Sequence, residues 1–386
     1  MKKIGLIAEF NPFHNGHKYL IDKIKKKYPD SILILVLSGN FTQRGNVSLI
    51  DKWKKTDISL QSGIDLVVEL PIRFATDSAD YFAFGAITLL EKLQVDTLIF
   101  GSESNDVTPL EKIVDCELNN PEFDNLVKLY SKTGLNYPTA LSSALLDLTG
   151  EKITTPNDLL GISYIKAIKK NNYHMTYETI KRTNDYHSKE LDNDIVSATA
   201  IKEAIKNKED ITNYVPKYVL PYLEDFHFFD DYFNLLKYKI ITDNNLDKYQ
   251  TVDKDITVSL KDKIIDCTNI DEYIKSLKSK HYTYNQIERM LIHILIGLTK
   301  EDASNWNKIS YIRLLGFNEE GREYLNKIKK ELDVSLISKI SREKDPRLEF
   351  EINSTKIYAL NLDNDKQKEL LQKEYQNKLY RGDNNE

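Results

Sequence analysis

The stretch KKIGLIAEFNPFHNGHKYLIDKIKKKY, Lys2 to Tyr28, decides the reading of this chain. Ile4 to Ala8 is a short apolar run bounded by Lys3 and Glu9, the pattern of a strand buried in a parallel sheet. Leu20, Ile21, Ile24 and Tyr28 then recur at helical spacing, with Lys18, Lys23, Lys25, Lys26 and Lys27 spread over the solvent side. Where strand becomes helix stand His14 and His17, with Asn15 and Gly16 between them. Gly16 permits a tight turn and a close backbone approach by a ligand. A helix beginning there points unpaired backbone N–H groups, and the positive end of its dipole, into the crevice beyond the strand. Two imidazoles add donors for phosphate oxygens. This suits displacement at phosphorus, where fixed donors stabilise the charge that develops on a leaving pyrophosphate. Spacing alone leaves two other readings open: a zinc pair, and an ordinary loop-to-helix junction.

Working outward, SILILVL (Ser31–Leu37) is a second apolar strand, followed by the polar loop SGNFTQRGN (Ser38–Asn46). Asp51 to Ser62 reads as a helix, Asp65 to Leu70 as a third strand, and the segment from Ala79 as an amphipathic helix with Phe82, Ala83, Ala86, Ile87 and Leu90 on one face. VDTLIFGSES (Val95–Ser104) is a fourth strand running into a loop. YHMTYETIKR (Tyr173–Arg182) reads as the last strand, after a helix that begins beyond Pro156 and Asn157. Strands alternating with helices indicate an α/β fold, a doubly wound parallel Rossmann-like sheet. Right-handed crossovers bring the strand C-termini to one edge, where ligands bind. EFNPFHNGH, SGNFTQRGN and GSESND should meet there. After about Asn207 the pattern is mostly helical, which divides the chain into 1–207 and a second, helical C-terminal domain at 208–386.

The 386 residues carry 41% hydrophobic and 29% charged residues, which suits two globular domains. No apolar run approaches the roughly 20 residues of a membrane helix. The N-terminus reads as a strand and not a signal peptide, and only two cysteines, Cys116 and Cys267, stand far apart. The expected location is cytoplasmic, with no membrane partner. The formal net charge of −5 does not by itself announce a nucleic-acid binder.

The wider motif set carries a resemblance. GLIAEFNPFHNGH, LSGNFTQRGNVSLIDKWKKTDISLQSGIDLVVELP, DSADYFAFGAITLL, FGSES, PNDLLGISYIKAI, IKRTNDYH, SATAIK and RLLGFNEEG together resemble the bacterial tRNA(Met) cytidine acetate ligase family. That family lies in the nucleotidyltransferase superfamily with the HxGH signature. The likeness runs from Lys3 to about Gly321 and is densest before Lys202. It implies an enzyme that activates acetate with ATP as acetyl-adenylate, releasing pyrophosphate. The acetyl group then passes to the wobble cytidine of elongator tRNA(Met), giving N4-acetylcytidine. Two rival readings are a nucleotidyltransferase acting on a small acid or mononucleotide, and a non-catalytic nucleotide- or RNA-binding scaffold.

The resemblance assigns residues. His14 and His17 are the catalytic pair, and the stretch Ile7, Ala8, Glu9, Phe10, Asn11, Pro12, Phe13, His14, Asn15, Gly16, His17, Lys18, Tyr19 and Leu20 wraps ATP. Gly101, Asn157, Arg182 and Thr183 are further nucleotide contacts. Asn157 also suits a helix N-cap after Pro156. SATAIK resembles the second phosphate motif, with Ser197 at the helix start and Lys202 where Arg is usual. Phe100 stands where a smaller residue is expected. Mg²⁺ should come with the nucleotide, with no dedicated protein metal site. Apolar surface near Phe10 and Phe13 is a candidate for the acetate methyl. Candidate tRNA contacts are Arg44, Lys52, Lys54 and Lys55, and Lys275, Lys278 and Lys280 near Tyr282 and Tyr284.

Overall fold

The computed structural model describes residues 1–135, 137–182, 196–340, 345–376 and 378–380. Among them seven strands form one sheet: β1 (Lys3–Ala8), β2 (Ile32–Ser38), β3 (Leu66–Leu70), β4 (Thr97–Ser102), β5 (Thr176–Lys181), β6 (Tyr311–Phe317) and β7 (Ser335–Ile337). The order across the sheet is β5-β4-β1-β2-β3-β6-β7. The first five strands pair in parallel. Their C-terminal ends therefore share one edge, as the alternation of strands and helices requires.

Strand β2 explains why its sequence is continuously apolar. Leu33, Leu35 and Leu37 face one core, while Ile32, Ile34 and Val36 face the other. Both faces are covered, so period-two alternation is lost from the sequence. Helix Ala79–Lys92 and helix Pro156–Lys170 bury the second face. Helices Asn15–Lys27, Lys52–Gln61 and Ala198–Lys206 pack on the first.

The region past Asn207 departs from the mostly helical expectation at two points. RLLGF belongs to β6, which pairs antiparallel with β3 through Leu66↔Phe317, Val67↔Gly316, Val68↔Leu314 and Glu69↔Arg313. Strand β7 then extends the sheet beyond β6. The C-terminal helices share most of their core with the sheet, while Leu348 and Ile352 pack with Tyr311, Ile337 and Ile340 in a small separate cluster. Leu291, Ile294 and Tyr358 belong to the same buried cluster as Ile21, Ile24, Trp53 and Ile58.

A buried ion network fastens this junction. Lys52 Nζ lies 2.8 Å from Glu69 and 3.0 Å from Glu374. Arg313 pairs with Glu69 at 2.9 Å and also with Glu374. All four side chains are at most 3% exposed, a burial that charged groups tolerate only when paired. Glu351 approaches the same cluster and accepts the Ile72 N–H at 2.7 Å. Burial, with Glu69 nearby, raises its pKa to about 8, so its carboxyl is mostly protonated at neutral pH.

Candidate functional site

The motif loop grows from the end of β1. At Phe10 the backbone takes a left-handed φ of +46°, uncommon for a bulky residue. The Phe10 ring packs edge-on against Phe13 and His17, 4.8 Å from each. Phe10 and Phe13 are buried, so they serve as the core under the loop. Two polar anchors join it to the loop at 38–50. Glu9 accepts the Gln43 N–H at 2.7 Å, and Asn11 Oδ1 accepts the Leu49 N–H at 2.8 Å.

His14 is the N-cap of helix Asn15–Lys27. Its Nδ1 accepts the Gly16 N–H at 3.0 Å, and His17 Nδ1 accepts the His14 N–H at 3.2 Å. This is a capping box built from two imidazoles in place of the usual Ser/Thr and Glu. A ring nitrogen that accepts from an N–H carries no proton. Each neutral ring therefore holds its proton on Nε2. The two rings stack with centroids 3.8 Å apart. Burial, reinforced by the Arg182 charge, pulls His14 down to about 3. Burial, His14 and Arg182 hold His17 well below its ordinary value. At neutral pH the pair presents two uncharged Nε2–H donors.

The expected row of unpaired N–H groups at this helix start is not observed. Asn15 N–H donates to Tyr214 O at 3.0 Å, Gly16 N–H to His14 Nδ1, and His17 N–H to His14 O at 2.9 Å. The Tyr214 carbonyl, the His14 ring and the His14 carbonyl take up these donors, so the imidazoles themselves are the donors left for a ligand. Farther along the stretch, Ile7, Ala8 and Leu20 pack on the cores. Lys18 pairs with Asp22, and Tyr19 lies under Lys23. These residues hold the helix in place. Asn15 Nδ2 donates to Asn213 O at 2.8 Å, and Pro12 is buried in the turn.

Beside β1 lie β4 and β5, and their ends complete one flank. Arg182 N–H donates to Ser102 O at 2.9 Å, continuing the ladder past β5. A Cβ on Gly101 would stand 3.2 Å from Arg182 Cγ, so the absent side chain makes room for this arginine. The Arg182 charge acts on both histidines, which places Gly101, Arg182, His14 and His17 together. Asn157 is not the N-cap of its helix; Thr155 is, with Pro156 leading the first turn. Asn157 Nδ2 and the Asp158 N–H both donate to Glu103. Asp158, buried, accepts from Ser102 Oγ, the Ser104 N–H and Thr155 Oγ1. The helix start and the loop after β4 thus form one hydrogen-bonded unit. Phe100 fits because Gly161 faces it: a Cβ there would come within 2.6 Å of the ring. Thr183 lies outside the described residues.

The other flank lies over β2. Ser197 caps helix Ala198–Lys206, accepting the Ala200 N–H at 3.1 Å. Lys202 on this helix feels the charges of Glu9, Glu288, Arg44 and Glu203; burial lowers its pKa, and the three carboxylates resist that. The lysines expected to meet tRNA on helix Lys52–Gln61 are placed otherwise. Lys52 lies in the buried network, and Lys54 turns to Glu224 and Asp225. Lys55 is fully buried and donates to the carbonyls of Glu9, Ser38 and Gly39 at 3.0, 2.8 and 2.7 Å. Its ammonium ties the ends of β1 and β2, and burial draws its pKa down to about 7. A lysine inside an amphipathic pattern gives no sign in sequence that it points inward. Lys275, Lys278 and Lys280 are exposed.

Comparison with known proteins decides the family. The HIGH Nucleotidyl Transferase family model matches residues 1–374. The tRNA(Met) cytidine acetate ligase of Geobacillus sp. (strain WCH70) is 36% identical, covering 97% of this chain and 98% of that one. The protein of the same name from Clostridium perfringens (strain SM101) is 39% identical, covering 93% and 95%. The chain belongs to the tRNA(Met) cytidine acetate ligase family of HIGH nucleotidyl transferases.

Two solved structures of one protein are similar to this chain. Thermotoga maritima TmcAL in its apo form superposes with a TM-score of 0.91 at 26% identity, covering 98% of this chain and 99% of that one. The same protein bound with alpha-thio ATP gives 0.86 at 27% identity, covering 95% and 96%. Among the described residues no helix is long and apolar enough to cross a membrane. Also among them, no group of three His, Cys, Asp or Glu side chains is placed to hold a metal ion. Cys116 and Cys267 are free and buried.

Proposed function

We propose that this protein is a cytoplasmic ligase that joins acetate to ATP as acetyl-adenylate and transfers the acetyl group to the wobble cytidine of elongator tRNA(Met). The observation carrying this reading is the histidine capping box, two neutral imidazoles with fixed Nε2–H donors at the sheet edge. Family membership supplies the substrates.

Mg²⁺ would accompany ATP and offset the charge of its phosphates. His14 and His17 donate to the phosphates, and Arg182 adds fixed positive charge beside them. Gly101 and Asn157 line the adenosine side. Acetate oxygen attacks the α-phosphate in line, and pyrophosphate leaves. Neutral imidazoles can fill this role because the backbone N–H bonds to each Nδ1 fix the tautomer and the direction of Nε2–H before the nucleotide binds. The gain comes from positioning and electrostatics in a site whose donors do not reorganise.

ATP–pyrophosphate exchange measured with and without acetate, then with tRNA(Met), tests the proposal. Acetate-dependent exchange and N4-acetylcytidine in the tRNA are expected. Exchange without acetate dependence would indicate another acceptor for the adenylyl group. His17→Ala should lower exchange by about 10²-fold or more, the scale of losing one preorganised donor; full exchange in that variant refutes the assigned role.

A further inference from the structure

A second cluster of charged groups is built by three separate segments. Arg44 and Asn46 come from the loop at 38–50, Lys202 from helix Ala198–Lys206, and Glu288 from helix Tyr284–Ile296. Glu288 is only 8% exposed, and its carboxylate accepts Asn46 Nδ2 at 3.2 Å. Its position is fixed by backbone contact. Gly45, at φ +83°, brings the loop tip so close to the helix that a Cβ would lie 2.2 Å from Arg289 N. The same loop is held to the motif loop through Gln43 and Glu9. Lys202 feels the carboxylates of Glu9 at the end of β1, Glu288 on the C-terminal helix and its neighbour Glu203.

The sheet order gives this cluster a place in the reaction. With the nucleotide over β1, β4 and β5, the β2 flank is left for the second substrate. The chemistry there is a carboxylate beside cations. Cytosine offers a matching edge: an amine that donates, next to N3 and O2 that accept. Uracil presents an oxygen where the amine stands and is repelled by the carboxylate.

Resting on the ligase reading above, we propose that Glu288 accepts a hydrogen bond from the exocyclic amine of the target cytidine and takes its proton as the amine attacks the acetyl carbon. Lys202 and Arg44 donate to the N3 and O2 edge. The new bond joins N4 to the acetyl carbon. The bond from that carbon to the phosphate oxygen breaks, and AMP leaves with the electron pair. The proton passes from N4 to Glu288 and then to water. Burial raises the Glu288 carboxyl to about 7, opposed by Lys202, Asn46, Arg44 and Arg289, which suits a base working near neutral pH. Tyr284, on the same helix, also faces it and stays protonated.

The test separates the two half-reactions. Glu288→Gln should retain acetate-dependent ATP–pyrophosphate exchange and lose about 10²-fold or more in acetyl transfer to tRNA(Met). Exchange in the same preparation reports that the variant is folded. Transfer within a few-fold of wild type overturns the proposal, as does loss of exchange together with transfer. The wild-type transfer rate gives an independent reading: it should rise from pH 6 to 8, and a flat profile overturns the assignment whatever the variant does. Absence of acetate-dependent exchange in the wild type would instead overturn the ligase reading itself.

Discussion

Replacing Glu374 with Gln removes one charge from the network between the C-terminal helices and the sheet while keeping its shape. In the native protein Lys52 and Arg313 are balanced by Glu69 and Glu374, with Glu351 mostly protonated. The substitution leaves one positive charge uncompensated where no side chain is more than 3% exposed. Removing one partner of such a buried pair costs about 3–5 kcal/mol. Unfolding entropy of about 2.1 cal/mol/K per residue gives roughly 0.8 kcal/mol/K for this chain, so Tm should fall by about 4–6 °C. The assay is thermal unfolding of wild type, Glu374→Gln, Arg313→Met and the double variant. Removing both charges restores balance, so the double variant should be more stable than the sum of the single losses by at least about 1 kcal/mol. A loss below about 1 kcal/mol in Glu374→Gln, the range of exposed pairs, refutes the reasoning, as would strict additivity.

Three further outcomes follow from the same geometry. The folded-state pKa of Glu351, about 8, lies above its ordinary value of 4.5, so wild type takes up a proton on folding across that window. Glu351→Gln should therefore gain stability relative to wild type as pH rises from 5 to 8, by up to about 1.4 kcal/mol per unit, measured by urea unfolding at pH 5.5 and 7.5. Nitrogen NMR of the ligand-free protein should find His14 and His17 neutral and protonated on Nε2 from pH 5 to 8; a titration near 6.5 refutes the capping-box assignment. Gly45→Ala meets both a left-handed φ and the backbone of helix Tyr284–Ile296, so it should unseat the 38–50 loop and lower Tm by several degrees, with acetyl transfer lost more than exchange.

Much of the site was legible because its parts lie close in sequence or at strand ends. A strand, Gly16 and two histidines in one stretch mark the candidate site, and topology alone brings the loops after β1, β2 and β4 to one edge. What the residues cannot disclose is which nitrogen of each imidazole is spent. That depends on backbone N–H groups whose direction exists only once the helix has formed. Asn157 likewise reads as a cap, but Thr155 takes the cap and Asn157 turns to Glu103.

The sequence by itself determined the alternating strands and helices, the edge that the strand ends share and the family, since periodicity and contiguous motifs are local properties of the chain. Only the tertiary structure decided where the charges go. Lys52 and Lys55 look like solvent lysines until the buried ends of β1, β2 and β3 supply carbonyls and Glu69. Strand β6 pairs with β3 across more than two hundred residues, so Arg313 finds Glu69 by register and not by spacing. Glu288 joins Lys202 and Arg44 only because Gly45 lets one backbone lie against another, a long-range fit that no local pattern encodes.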